Sequence, residues 1–418
     1  RQEVYELDLD DLFAADPRHT PVRLFSSATH NCHIQRLQAR GDNLHSVFMV
    51  TENEALSYHY ELALPKDDSA LDPDPRIAHT LNLRRDELGN PQQSIAVGYG
   101  RQLPGSYPGL PQPGLIAQVQ TELHVAYTES RYTQDEILPA RASGDSPVRH
   151  HRLRLPFEVL RYELKGITKA NPGYYELADF RSLHLSDAYG PQPGDLPPPP
   201  EVELKQYHQV ADGAVPQKRI VEHCRSAYFD DASDTEPLNN KTPLLFGRHG
   251  PRGLKFEDYK LALTADLLSA VFGKADAVDP LNDKLAWEAQ PAVVGKPART
   301  ARDLLDEVKV SGYWSGPRIG MHPGEYWVRS GTAGFASDAH RHFFLPESYT
   351  DPFENEITLQ YDPLDLFVAA STDALGNTSR IAGFDPTRPS MPVPGFDYRV
   401  LAPREVQDIN GNLSEVAF

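Results

Sequence analysis

The stretch "NEITLQYDPLDLFVAASTDALGN", residues 355–377, holds two alternating runs, each closed by its own punctuation. The first run ends in Tyr361-Asp362, and the second in Asp373-x-x-Gly376-Asn377. Ile357, Leu359 and Tyr361 fall on one side of a strand, and Thr358, Gln360 and Asp362 on the other. This is the two-residue period of a half-buried strand. The pentapeptide reads as a turn. Its aspartate can accept backbone N–H groups two residues on, its glycine supplies a positive φ, and its asparagine tolerates one.

The same turn recurs as Asp86 to Asn90, with Gly89, and as Asp408 to Asn412, with Gly411. Asp351 to Asn355 is a degenerate copy with Glu354 in the glycine position. An aromatic residue follows three of these turns after 6 or 7 residues: Tyr361, Phe384 and Phe418. Tyr361 and Phe384 are each followed by aspartate and lie 23 residues apart. The longer interval between Asp373 and Asp408 contains "PTRPSMPVPGF", which reads as a loop insertion. The unit is therefore turn, strand, aromatic-Asp, strand, turn, with a period of about 22 residues. Two strands of this length cannot bury an apolar face alone, so such units must stack on one another. Stacked hairpins extend one antiparallel sheet, and sheet twist makes a long strip coil.

Composition agrees with a strip. The chain has 418 residues, 37 of them Pro and 28 Gly, spread along its length. That favours many short strands over long helices. Its mean hydropathy of -0.51 is low for so large a chain. A sheet that wets much of its surface needs fewer apolar residues than a solid globule does. The net charge of -18 argues against nucleic acid or an anionic membrane as partner. No apolar run is long enough for a membrane helix, and "RQEVYELDLDDLF" has no signal-peptide pattern. Cys32 and Cys224 make no disulfide scaffold and read as small buried hydrophobes.

Along the chain, residues 1–254 read as a β-rich strip with Pro/Gly-rich loops. Within it, "LIAQVQTELHVAYTESRYT" (115–133) reads as a pair of strands. Residues 255–345 read as a partly helical insertion. In "DYKLALTADLLSAVFG", Leu261, Thr264, Ala265, Leu268, Val271 and Phe272 share a helical face, with Gly273 as the stop. "TARDLLDEVKV" starts like a capping box, with Thr300 and Asp303. "ASDAHRHFFL" (336–345) reads as a short helix or a strand. Residues 346–418 return to β and carry the repeats.

Tyr361-Asp362 and Phe384-Asp385, together with the Asp-x-x-Gly-Asn turns, resemble the YD repeats of the Rhs family. "VYELDLDD", "HSVFMVTENEALSYHYEL", "DPRIAHTLNLRRDELGNPQQSIAVGYGR", "LPFEVLRYELKGI" and "DYRVLAPREVQDINGNLSEVAF" resemble the middle-to-C-terminal region of the B component of bacterial insecticidal toxin complexes. That resemblance runs in order through nearly the whole chain. It implies a hollow β-shell, formed with the N-terminal Rhs core of a C component, that encloses the toxic C-terminal region of that partner. It also implies secretion as part of a complex and docking to a pore-forming A component. Docking would run through a propeller that this sequence does not show, so the chain reads as a piece of a longer protein. On this reading it is no enzyme, takes no cofactor and inserts in no membrane.

Other chemistry is weaker. "HNCH" (His30, Cys32, His33) has metal-ligand composition but no second pair at structural-zinc spacing; His150-His151 and His340/His342 read as surface histidines. His223 and Cys224 are adjacent, so on a strand they face opposite ways. There is no nucleophile elbow. "FGRHGPRG" (246–253) fits no phosphate-loop spacing and reads as a mobile loop. The turn aspartates read as turn formers, and Tyr361, Phe384 and Phe418 as cross-strand packing rather than a sugar platform. Two alternatives stand beside the shell. One is a surface or glycan-binding β module. The other is an enzyme with a site in 255–345 built on His322, His340 and His342.

Overall fold

The computed structural model describes residues 1–7, 22–60, 74–102, 109–137, 151–189, 200–231, 238, 242–272, 305–315, 324–388 and 391–418. The protein is mainly antiparallel β, with open sheets and few helices. It divides into two compact units: residues 1–130 with 159–222, and residues 131–158 with 223–418.

The first unit is built on long strands. These are β1 (Gln2–Leu7), β2 (Val22–Gln38), β3 (Val47–His59), β4 (Arg76–Arg85), β5 (Pro91–Tyr99) and β6 (His124–Tyr132). Each hydrogen-bonds the next in sequence order. β7 (Glu136–Ile137) and β8 (His151–Arg152) are a short pair in the second unit. β9 (Pro156–Lys165) follows β6 in the sheet, and then β11 (Gln217–Tyr228), with β10 (Glu203–Lys205) parallel to β11.

Alternation in these strands creates one packed face. Leu81 pairs with Ile95 and Ile95 with Tyr127, so all three point the same way. With Val97, Val125, Leu160, Tyr162 and Leu164 they form the core. Tyr175, Phe180, Leu185 and Val202, from the segment after β9, close it. The alternate residues Thr80, Ala96 and Ala126 are exposed. One face is thus packed and the other left to water over β4–β6, which accounts for the low hydropathy there.

In the second unit β11 pairs with β12 (Lys255–Leu263), β12 with β14 (Tyr326–Arg329), and β14 with β13 (Tyr313–Ser315). A separate seven-stranded sheet runs β15 (Thr332–Gly334), β16 (Ser348–Thr350), β17 (Glu356–Tyr361), β18 (Val368–Thr372), β19 (Thr378–Ile381), β22 (Glu405–Gln407), β23 (Leu413–Glu415). Between its last members, β20 (Phe396–Asp397) and β21 (Ala402–Pro403) make a small hairpin. The interval that reads as a loop insertion therefore folds back on the repeats. Val393 and Phe396 join Ala369, Ala370, Ile381 and Phe384 in one core, and Phe396 stacks on Phe367.

Four expectations need correction. Residues 255–263 are strand, and the helix spans only Ala265–Phe272. Leu261 is buried between β11 and β14, which supply the ladder partners that a helix would forgo. Thr264 starts the helix, its Oγ1 accepting from Leu267 N–H at 3.2 Å. Residues 113–121 are a helix, with Pro113 in its first turn, rather than half of a strand pair. Cys32 is exposed and Cys224 half-buried, so neither is a core residue. The loop 246–253 is packed rather than loose: His249 is buried, and Gly250 lies against Asp231. Residues 336–345 contain a single 3-10 turn, Ala339–Arg341. Thr300, Asp303, Gly273, His322 and His150 lie outside the described residues.

Candidate functional site

The four Asp-to-Asn turns share one geometry. In each, the aspartate N–H donates to the asparagine carbonyl, and the fourth residue's N–H returns to the aspartate carbonyl, at 2.9–3.1 Å. Asp373 Oδ1 accepts from Leu375 N–H and Asn377 N–H, both at 2.9 Å, and its Oδ2 accepts from Asn377 Nδ2 at 2.9 Å. Asp86, Asp351 and Asp408 repeat all three contacts at 2.8–3.0 Å. Gly89, Gly376 and Gly411 have φ of 88°, 85° and 83°, and Glu354 holds the same place at 68°.

The asparagine side chain and backbone donate to the carboxylates of Asp373 and Asp408, and hold them below the usual range. Such a group stabilises the fold above its unfolded value and loses that contribution as pH falls through the depressed one. Two results are expected. Glu354→Gly stabilises the second unit by about 1 kcal/mol, because a side chain at positive φ is strained. Chemical denaturation reads it, and the exposed Lys309–Glu354 pair that is lost contributes little. In Asp373→Ala, the amides of Leu375 and Asn377 lose hydrogen-exchange protection while those of Asn410 and Asn412 keep theirs.

The two aromatic-Asp pairs are not equivalent. Asp362 is buried, and its Oδ1 accepts from Leu366 N–H at 2.7 Å and Phe367 N–H at 3.1 Å. Tyr398 also donates its hydroxyl to Asp362 Oδ2 at 3.3 Å. Asp385 is exposed and takes Thr387 N–H at 2.9 Å. The aromatics diverge too. Tyr361 is half-buried and donates to the Pro346 carbonyl at 2.9 Å, Phe384 is core, and Phe418 is exposed. They form no common ladder. A bulge between Gln360 and Tyr361 breaks the strict alternation that would align them.

The histidine candidates scatter. His30 Nδ1 lies 2.8 Å from Glu52 Oε2 on exposed strand surface, and a bulge separates Asn31 from Cys32. His342 pairs with Asp365 at 3.0 Å, and His340 is exposed. Among the described residues, no three His, Cys, Asp or Glu side chains converge as metal ligands. His223 and Cys224 do point apart: His223 is buried against Glu158 at 2.7 Å.

Sequence reading missed two polar clusters. In the second unit, Glu158 meets Arg131 at 2.8 Å, His223 at 2.7 Å and Arg225 at 2.6 Å. In the first unit, His79 Nε2 bonds Glu54 at 2.9 Å and its Nδ1 bonds the Tyr99 hydroxyl at 3.0 Å. That hydroxyl also accepts Tyr175 N–H at 2.8 Å. The chain Tyr99–His79–Glu54 has the connectivity of a proton relay. However, burial pushes Tyr99 up to about 12, and the Tyr175 amide occupies its oxygen. The hydroxyl is thus a clasp for the segment that covers the core, and not a nucleophile.

Among the described residues, the far end of the β2–β3 hairpin has no further strand beside it. β1 pairs only with residues 22–28 of β2, and β4 only with residues 54–59 of β3. Residues 29–38 and 47–53 therefore continue as a two-stranded ribbon, with Ile34 opposite Val50 and Arg36 opposite Phe48. Ile34, Phe48 and Val50 are exposed.

The family described as the insecticide toxin TcdB middle/C-terminal region matches residues 1–142, and over that stretch the chain is TcdB-like. No curated protein matches the chain. Among solved structures, a mutant Photorhabdus luminescens Tc holotoxin pore aligns with 94% of this chain at 20% identity and a TM-score of 0.47. The aligned part is 14% of that chain's length. No helix among the described residues is long and apolar enough to cross a membrane.

Proposed function

We propose that the chain is a wall module of a secreted insecticidal toxin complex, part of a β-shell that encloses and helps deliver a partner's cytotoxic polypeptide. The observation that carries this reading is the open antiparallel sheet, packed on one face and left to water on the other over β4–β6. A wall has this asymmetry, which an antiparallel sheet allows by packing one face and leaving the other to water. The repeated Asp-to-Asn turns support it, because each ends a hairpin in the same way and lets the next be added to the strip. So does the TcdB-like stretch 1–142.

On this reading the partner is the C component, whose Rhs core would complete the shell around its own toxic region. Contact with the A-component pore would run through other parts of the B component. The wall needs no catalytic residue and no cofactor. A net charge of -18 would favour basic cargo over acidic.

Mixing the chain with a C component and imaging the complex at low resolution tests the reading. The expected envelope is hollow, and the toxic region inside resists protease as long as the complex holds. A filled envelope, or a C component digested as fast as when alone, would sink it.

A further inference from the structure

The two aromatic-Asp pairs differ in packing, yet they meet at one cavity in the second unit. Its volume is about 640 Å³, within the range of about 300–1,000 Å³ of small-ligand sites. Tyr361 and Asp362, at the end of β17, line it together with Phe384. Its other walls are apolar: Leu345, Leu359, Pro363, Leu364 and Pro386. Its charged side is acidic. Glu347 and Asp365 line it, and among the described residues no lysine or arginine does.

The two carboxylates are held differently. The Glu347 side chain is exposed and makes no hydrogen bond or ion pair among the described residues. Asp365 meets His342 Nδ1 at 3.0 Å. Its backbone is fixed at a φ of +56°, with its N–H donating to the Asp362 carbonyl at 3.0 Å. Asp362 is itself buried and spent on the N–H groups of Leu364, Leu366 and Phe367. The closest arginine in the chain beyond Phe384, Arg388, lies 3.8 Å from Asp385 instead. Burial first, and then Tyr349, Asp365 and Glu347, raises the Tyr361 pKa, so both carboxylates act at one hydroxyl of the cavity lining.

We propose that this cavity binds the side chain of an arginine or lysine from a basic polypeptide. Such a side chain lays its aliphatic stem along apolar surface and keeps its charged head apart. Leucine and proline walls suit the stem, and Glu347 and Asp365 suit the head. Charge-assisted hydrogen bonds to a carboxylate are stronger than neutral ones. A net charge of -18 also draws a basic partner from a distance. The site does not rest on the wall reading, since a single chain can hold the ligand.

Titration of the isotope-labelled full chain at low salt tests it, followed by its amide chemical shifts. The probes are N-acetyl-arginine amide, N-acetyl-lysine amide and, as an uncharged match for lysine, N-acetyl-norleucine amide. Saturable shifts are expected at Glu347, Gln360 and Asp365. A response to the arginine probe alone assigns a guanidinium, one to the lysine probe alone an ammonium, and one to both any cationic side chain. Glu347→Gln should weaken binding about fivefold, the worth of one partly exposed charge contact. It should leave the melting temperature unchanged, because Glu347 has no side-chain partner to lose. No saturable response to either cationic probe would overturn the proposal. So would equal affinity for the norleucine probe, or an affinity unchanged in Glu347→Gln.

Discussion

Glu158→Gln is expected to lower the stability of the second unit by about 3–5 kcal/mol, the range for breaking a buried charge cluster from one side. Glu158 is 3% exposed and meets Arg131, His223 and Arg225 within 2.8 Å. The amide keeps one acceptor oxygen but removes the charge, so Arg131, Arg225 and His223 lose the carboxylate that they share. Arg225 cannot easily swing away, because it lies 5.3 Å from the Phe246 ring centre and 5.4 Å from that of Trp327. Urea unfolding measures the loss. Lys309→Ala is the control, since its partner Glu354 is mostly exposed and the change should stay within about 0.5 kcal/mol. Equal effects from the two substitutions would show that the cluster carries no special weight.

The same carboxylate sets an acid limit. Burial pushes Glu158 up, but the His223 hydrogen bond, Arg225 and Arg131 together overcome it and bring its pKa to about 2. A depressed value means that the native state holds the charged form. The contribution, about 3 kcal/mol, is present above the ordinary value of 4.5 and fades as pH falls from there through about 2. Glu158→Gln should flatten the stability profile over that window, measured as the urea midpoint at each pH.

What the sequence made legible follows from the range of the interactions involved. The Asp-x-x-Gly-Asn turns are local, since the aspartate and the groups it accepts lie within five residues, so the motif itself encodes the geometry. The core of the first unit was half legible. Alternation marks Leu81, Ile95 and Tyr127 as one face, but nothing in it says that Tyr175, Phe180 and Leu185 will cover them. The Glu158 cluster was not legible at all, because Glu158 and His223 come together only when β9 and β11 are placed. Leu261 shows how a period can mislead. Its neighbourhood satisfies a helical stripe, yet the ladder partners on both sides of β12 decide for strand. Phe418 shows the reverse limit: its spacing matches Tyr361 and Phe384, but spacing alone does not bring packing partners.

Gly166→Ala is expected to cost about 2–5 kcal/mol, and here two causes add. Gly166 follows β9 at a φ of +72°, where a side chain is strained by about 1–2 kcal/mol. A methyl group there would also lie 2.2 Å from the Val215 carbonyl oxygen and 2.8 Å from that of Gly213. Both obstacles are backbone, so relief requires moving the chain that leads into β11, at about 1–3 kcal/mol more. Gly376→Ala separates the causes. Its φ is +85°, yet nothing lies within 4 Å of the new methyl, so only the conformational cost of about 1–2 kcal/mol remains. The difference between the two losses, measured by urea unfolding of each variant, is the energy of the close approach between the end of β9 and the chain entering β11. If Gly166→Ala costs no more than Gly376→Ala, those segments do not touch as described. If it costs far more, the two glycines do different work. Gly376 lets a turn close, and Gly166 lets two stretches of backbone meet where any side chain would hold them apart.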